Sequence, residues 1–478
     1  MKRGNVYGTK GFVRAHGARE DPRNYADKDG HLKPVLGLRE MIAMGVGTVV
    51  GAGIFTMPGI VAADYAGPAV VISFIIAAII AGLSALAYSE FASAMPYAGS
   101  IYSWANVIYG EFVGWLAGWA VLAEYLIALA LISASWSSYF QGFLSSFGIA
   151  LPKALTTSFS LGNGTWFDLF GALALLVVGH LVSRGVKGAA KVENWLVIGK
   201  IAVILLFIVV GATAAHLQNW VPFVPKHVPG TNFGGMHGVM MGAAQVFFAY
   251  IGFDTIAANS AEVKNAQKTM PRAIVGTLLI ATVLFVGVAA VLTGMFHYTK
   301  FAGNAEPAAW ALRQSGHLFT ANLLSVVALV GMFSGLIALM IGGSRLVYSF
   351  GRDGLMPKAF AKLDKNGLPK NGTLVLTILA VVLGAVFPVG MLANLVSAGT
   401  LIAFIVASVG VLKLRKRQDI DHSGYKMPWY PVLPIISALA SIGLFVSLNK
   451  DALILTLVWV VVGALVYVAY GAKHSTKD

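Results

Sequence analysis

Residues 45–55 read Gly45-Val46-Gly47-Thr48-Val49-Val50-Gly51-Ala52-Gly53-Ile54-Phe55. The stretch is apolar enough to lie inside a membrane, yet Gly45, Gly47, Gly51 and Gly53 fall within nine residues of it. Each glycine in a helix interior costs about 1 kcal/mol relative to alanine, so a helix running through this stretch is expected to unwind. A backbone that unwinds at membrane depth must shelter its freed N–H and C=O groups in a protein-lined cavity. The competing reading is packing, since Gly47 and Gly51 have the small-xxx-small spacing of helix contacts in membranes. A second apolar run, Phe247-Phe248-Ala249-Tyr250-Ile251-Gly252-Phe253-Asp254-Thr255, has a glycine and a carboxylate in its middle.

Working outward, the whole chain has the composition of a membrane protein. Of 478 residues, 57% are apolar and only 11% charged, against about 25% charged in soluble chains. Mean hydropathy is +0.76. A disordered chain is excluded, and an all-α polytopic membrane protein is indicated. Twelve apolar segments are expected as spans, at 38–62, 68–95, 100–142, 166–184, 192–216, 237–262, 271–296, 319–350, 372–388, 390–412, 431–449 and 452–471. The third exceeds a ~30 Å hydrocarbon core and is expected to kink at Gly110. Residues 1–37 are polar and basic, without an apolar stretch of signal-peptide length, and read as a cytoplasmic arm. Residues 38–471 read as the transmembrane domain and 472–478 as a cytoplasmic tail.

The net charge of +14 raises the question of nucleic acid. With the amino terminus placed inside, 28 Lys and Arg fall on the cytoplasmic side and 5 on the other, with Lys200 within a span. That asymmetry is a topology signal, and no folded basic module supports nucleic-acid binding. The absence of cysteine removes disulfides, thiolate nucleophiles and cysteine metal sites.

The two breakable segments lie five spans apart. Interrupted helices at matching positions of two halves point to an inverted-repeat transporter with its site at the breaks. Amides freed at a half-helix amino end suit a carboxylate, helped by the helix dipole. Carbonyls freed at the end of the preceding half suit an ammonium. Such a pair recognises a zwitterion, and α-amino acids are the obvious class.

The ordered stretches Gly51-Ala52-Gly53-Ile54-Phe55, Tyr88-Ser89-Glu90-Phe91-Ala92-Ser93 running to Pro96-Tyr97-Ala98-Gly99-Ser100, Phe247 to Asp254, Glu262-Val263-Lys264-Asn265 with Pro271, Arg352-Asp353-Gly354-Leu355-Met356-Pro357 and Pro428-Trp429-Tyr430-Pro431 go further. Over residues 35–470 the chain resembles the amino acid–polyamine–organocation superfamily, specifically bacterial members of the cationic amino acid transporter family. It departs at Ala266, where relatives usually carry proline, and in its unusually polar arm.

The resemblance implies a 5+5 inverted repeat, over about 38–216 and 237–412, plus two further helices over about 431–471. Helices 1 and 6 would be discontinuous. Spans 1, 2, 6 and 7 would rock against 3, 4, 8 and 9. Carried over residue by residue, the substrate carboxylate would meet the amides at Ala52 and Gly53. Its ammonium would meet the carbonyls of Val49, Phe248, Ala249 and Ile251, with Phe248 also a gate candidate. Lys200 in span 5 would donate to the carbonyls of Gly47 and Val50 and to the Ser334 hydroxyl, where sodium-coupled relatives hold a cation. A desolvated ammonium releases its proton more readily than one in water, so Lys200 is the expected coupling device, with a helix-pinning role as the competing account. The resemblance sets Met340 against the substrate side chain, which implies small neutral substrates such as alanine, serine or threonine.

Intramembrane acids are functional candidates by default. Glu124 could neutralise the site or receive a cationic side chain; as a scaffold acceptor it would do neither. Asp254 is expected to brace the second half-helix, with direct coupling as the lesser role. Glu90 and Glu111 lie near span ends and read as interfacial, and His180 lacks the spaced partners of a metal site. No zincin, Walker or nucleophile-elbow motif is present, so neither an ATP-driven pump nor an enzyme is indicated.

The expectation is therefore a proton-coupled symporter of the bacterial cytoplasmic membrane, both termini inside. Its partners are an amino acid and the lipid bilayer, with no metal and no cofactor beyond the proton as coupling ion. An amino acid or amine exchanger and a cationic amino acid carrier are the alternatives within the class. A non-transporting sensor and a channel are those outside it.

Overall fold

The computed structural model describes residues 36–96, 100–185, 189–258, 260–365 and 367–475, without the side chains of residues 189–195, 254, 255, 258 and 261. The expected arm therefore lies outside the described residues up to residue 35. Among the described residues the regular structure is helical, and isolated bridges join Leu36 to Val263 and Ser160 to Thr165. Through the first of these, Leu36 clips the chain onto the loop at Glu262 and Lys264.

The first expected span is two helices, α1 (Leu38–Val49) and α2 (Ala52–Val61). After a wide turn at Ala62–Ala66 the chain enters α3 (Val70–Ala94). The long third segment is α4 (Ser100–Tyr109) and α5 (Glu111–Ser145), parted at Gly110. Gly110 has φ +97°, a conformation open to glycine and strained for other residues. Then follow α6 (Leu169–Arg184), whose Asp168 cap accepts from the Gly171 amide at 2.9 Å, and α7 (Ala189–Thr213). The sixth segment is again divided, into α8 (Gly235–Val246), a tight turn over Phe247–Tyr250, and α9 (Phe253–Ala258).

Beyond it come α10 (Ala266–Met295), the short α11 (Pro307–Gln314), α12 (Leu318–Arg352), α13 (Lys370–Val386), α14 (Val389–Leu414), α15 (Val432–Val446) and α16 (Lys450–Val466). Among the described residues, seven helical runs are long and apolar enough to cross a membrane, and α6, α13 and α15 are shorter apolar helices. One of the seven, Ala52–Ala94, contains the chain reversal at Gly67, which has φ +59°.

Packing sorts the helices into groups. α10 lies against α3, α1 and α2, and α8 against α3. α5 lies against α12, α13 and α6, while α14 touches both α5 and α3. α16 is fastened to α5 by indoles: Trp119 Nε1 donates to the Trp459 carbonyl at 2.9 Å, Trp459 Nε1 to the Trp119 carbonyl at 3.0 Å, and Trp115 Nε1 to Gly463 at 2.8 Å. The Trp119 and Trp459 rings stack with centroids 4.7 Å apart. An indole N–H left without a partner in an apolar medium is costly, and the ladder removes that cost while aligning two distant segments.

Glu90 and Glu111, expected near span ends, are buried and paired within the protein. Glu90 is 2% exposed and receives Arg415 through both carboxylate oxygens, at 2.7 and 2.9 Å, together with the Met427 amide at 2.6 Å. Glu111 accepts from the Tyr467 hydroxyl at 2.9 Å. Both tie a helix end to a segment more than 300 residues away, which a local reading of charge cannot see. His180 is exposed on α6.

Candidate functional site

α1 ends where Val50 takes φ −82° and ψ 81°. Its amide bonds back to Val46 at 2.8 Å, and the Gly51 amide turns tightly onto the Val49 carbonyl at 3.0 Å. α2 starts at once from Gly51 with no side chain capping it. The first amides of a helix have no intrahelical acceptor, and Ala52 and Gly53, which carry two of them, line a cavity.

The second break has the complementary form. Ile251 is extended, with φ −68° and ψ 142°, and Gly252 follows at φ +124°. Gly252 lies against the first break: a Cβ on it would stand 3.0 Å from Thr48 Cγ2 and 3.1 Å from the Val49 amide. Gly53 makes the reciprocal approach, since a Cβ there would lie 2.6 Å from the Cα of Ala249. The glycines that break the helices thus also let the two breaks meet backbone to backbone. Tyr139 of α5 anchors α2 by donating to the Phe55 carbonyl at 2.7 Å.

The cavity between the breaks is closed by α5 and α12. The first break contributes Gly47, Thr48, Val49, Gly51, Ala52 and Gly53; the second contributes Phe248, Ala249, Ile251 and Gly252. α5 presents Glu124, Tyr125, Ala128 and Ile132, and α12 presents Gly331, Met332, Gly335 and Leu339. Backbone donors and acceptors therefore gather at the breaks, and the two closing helices present mainly apolar side chains together with the Glu124 carboxylate and the Tyr125 phenol. That is the chemistry of a site for a zwitterion with an apolar substituent.

Lys200 reaches the first break from α7. It is 3% exposed, and its ammonium donates to the Gly47 carbonyl at 2.8 Å. Its stem passes Gly331: a Cβ on that residue would lie 2.5 Å from Lys200 Cε. Of its other expected acceptors, Val50 is the residue that ends α1, and Ser334 stands three residues past Gly331, half-buried. Glu124 is 2% exposed at the cavity wall. Asp254 is the second residue of α9, beside the second break; its side chain lies outside the described residues.

Met340 corrects the expectation drawn for it. It is buried away from the cavity, its sulfur 3.8 Å from the Thr377 hydroxyl of α13. The face of α12 toward the cavity repeats every four residues, through Gly331, Gly335 and Leu339. One residue further turns about 100° around the helix, which delivers Met340 to α13. The same spacing of four, with Glu124, Ala128 and Ile132 on α5, was the sequence signal that could have found these walls.

Comparison with known proteins identifies the family. A family model described as amino acid permease matches residues 36–467. A branched-chain amino acid permease of Lactococcus lactis subsp. cremoris is 46% identical over 98% of this chain and 100% of its own length. A methylthioribose transporter of Bacillus subtilis is 40% identical over 94% of this chain and 95% of its own. A vacuolar cationic amino acid transporter of Arabidopsis thaliana is more distant, 34% identical over 79% of this chain and 62% of its own.

Proposed function

The chain belongs to the amino acid permease family, and on that premise we propose that it is a secondary transporter carrying neutral amino acids with aliphatic side chains in symport with protons. The observation that carries the coupling is the Lys200 ammonium on the Gly47 carbonyl at 2.8 Å, at the end of α1. Charged, it holds α7 to the first break and closes off a carbonyl that would otherwise be left bare. A change that desolvates the ammonium favours loss of its proton, which frees α1 to move. Proton release is thereby linked to the geometry of the substrate's own backbone contacts.

In this reading the chain makes twelve spans with both termini cytoplasmic, arranged as a 5+5 inverted repeat plus two helices. α1, α2, α3, α8, α9 and α10 rock against α5, α6, α12 and α13. The substrate carboxylate takes the amides of Ala52 and Gly53, and its ammonium takes carbonyls at Val49, Phe248, Ala249 and Ile251, with Phe248 as a gate.

The substrate class moves away from alanine, serine and threonine. That expectation rested on Met340 filling the side-chain end, and Met340 packs on Thr377 instead. Ala128, Ile132 and Leu339 line that end, which favours branched aliphatic side chains over hydroxylated ones. Two relatives named as branched-chain amino acid permeases, at 46% and 37% identity, support the same class.

The test is uptake of labelled leucine into proteoliposomes with and without an inward proton gradient. Wild type should concentrate leucine only with the gradient, and Lys200→Ala should lose that accumulation. Accumulation by Lys200→Ala would remove the lysine from coupling. Stronger competition by arginine or methylthioribose than by leucine would overturn the substrate class.

A further inference from the structure

α12 carries five glycines within Leu318–Arg352, and four of them have a packing reason. A Cβ on Gly331 would meet Lys200 Cε at 2.5 Å, on Gly342 the Tyr125 ring at 3.2 Å, on Gly343 Leu376 Cδ1 at 2.9 Å, and on Gly351 the Ala361 amide at 2.6 Å. Gly335 is the exception: a Cβ there would have nothing within 4 Å. It lines the cavity between the breaks. A glycine in the middle of a long helix gives up helix stability, and no protein atom uses the space that this one leaves.

We infer that Gly335 is the seat of the substrate's side chain and that its missing Cβ sets the largest aliphatic group accepted. This deepens the transport reading and rests on it. Gly331 lies at the level of Lys200, and Gly335 is four residues on, about 6 Å along the helix.

The helices that close the cavity add the apolar Ala128, Ile132, Met332 and Leu339 to Gly335, with Glu124 as the ionisable side chain of the wall. The nearest phenol points elsewhere: a Cβ on Gly342 would lie 3.4 Å from the Tyr125 hydroxyl, and Gly342 is seven residues, about 10 Å, from Gly335.

The experiment measures inhibition of uptake by alanine, valine, leucine and isoleucine for wild-type and Gly335→Ala proteoliposomes. Thermal melting of both proteins checks that the fold persists; alanine is the best helix former and meets no neighbour at this position. The added methyl should lower the leucine-to-alanine affinity ratio about tenfold, within the range for overfilling a packed site. An unchanged ratio in Gly335→Ala, with leucine still taken up by wild type, overturns this inference alone. Wild-type protein that takes up no aliphatic amino acid overturns the transport reading and this inference together.

Discussion

Substituting Gly53 by alanine tests whether the site is made by the contact of the two breaks. The new methyl would fall 2.6 Å from both the Cα and the Cβ of Ala249. Carbon atoms rest at about 3.5–4.0 Å, so the breaks would have to part by about 1 Å. Overfilling of this kind costs about 1–3 kcal/mol, offset by up to about 1 kcal/mol from removing a helix glycine. The larger effect is on binding. An amide moved by about 1 Å from a 2.9 Å hydrogen bond no longer makes one, and a bond to a charged group contributes about 1.5–3 kcal/mol. Affinity for the preferred amino acid should fall about 10- to 100-fold, read by equilibrium binding to purified protein with a melting curve alongside. Gly51→Ala is the internal comparison. Its methyl would stand 3.8 Å from the Thr48 carbonyl, on a backbone with φ −132°, and it should lose much less. Near-wild-type binding by Gly53→Ala, or equal damage from Gly51→Ala, would refute the reasoning.

Two further outcomes follow from buried charge. Glu90→Gln leaves the Arg415 guanidinium, 19% exposed, without its carboxylate; the melting temperature should drop by the equivalent of about 3 kcal/mol, and Arg415→Met added to it should recover part of the loss. Glu306, in the loop before α11, pairs with Arg313, yet burial pushes its carboxyl up from 4.5 to about 6. A carboxyl raised on folding contributes stability that is present below pH 4.5 and lost as pH rises through about 6. The wild type should therefore melt higher at pH 5 than at pH 7 by an increment that Glu306→Gln removes; identical pH profiles for the two proteins would count against it.

Much of this protein is written locally. The helical, apolar character of the chain, the kink at Gly110 and the breaks near Gly51 and Gly252 follow from hydrophobicity and glycine cost over a few residues. These terms act before any tertiary contact forms. Lys200 likewise stood out because a charge within an apolar run needs a reason. The walls of the cavity were harder to read. Leu339 and Met340 are adjacent in sequence and chemically alike, and which faces the cavity depends on the rotation of α12 against α5.

Tertiary structure also decided what long-range contacts do. Glu90 and Glu111 sit near helix ends as their positions suggest, but Arg415 and Tyr467 turn them into internal fastenings. The Trp119–Trp459 ladder joins residues 340 positions apart. Gly335 shows the division most plainly. As a letter it is one glycine among five on a helix; only the surrounding helices reveal that four of them are filled by neighbours and one is left empty. Helix breaking is a property of the residue itself, whereas the use of the space a glycine leaves belongs to whatever packs, or does not pack, against it.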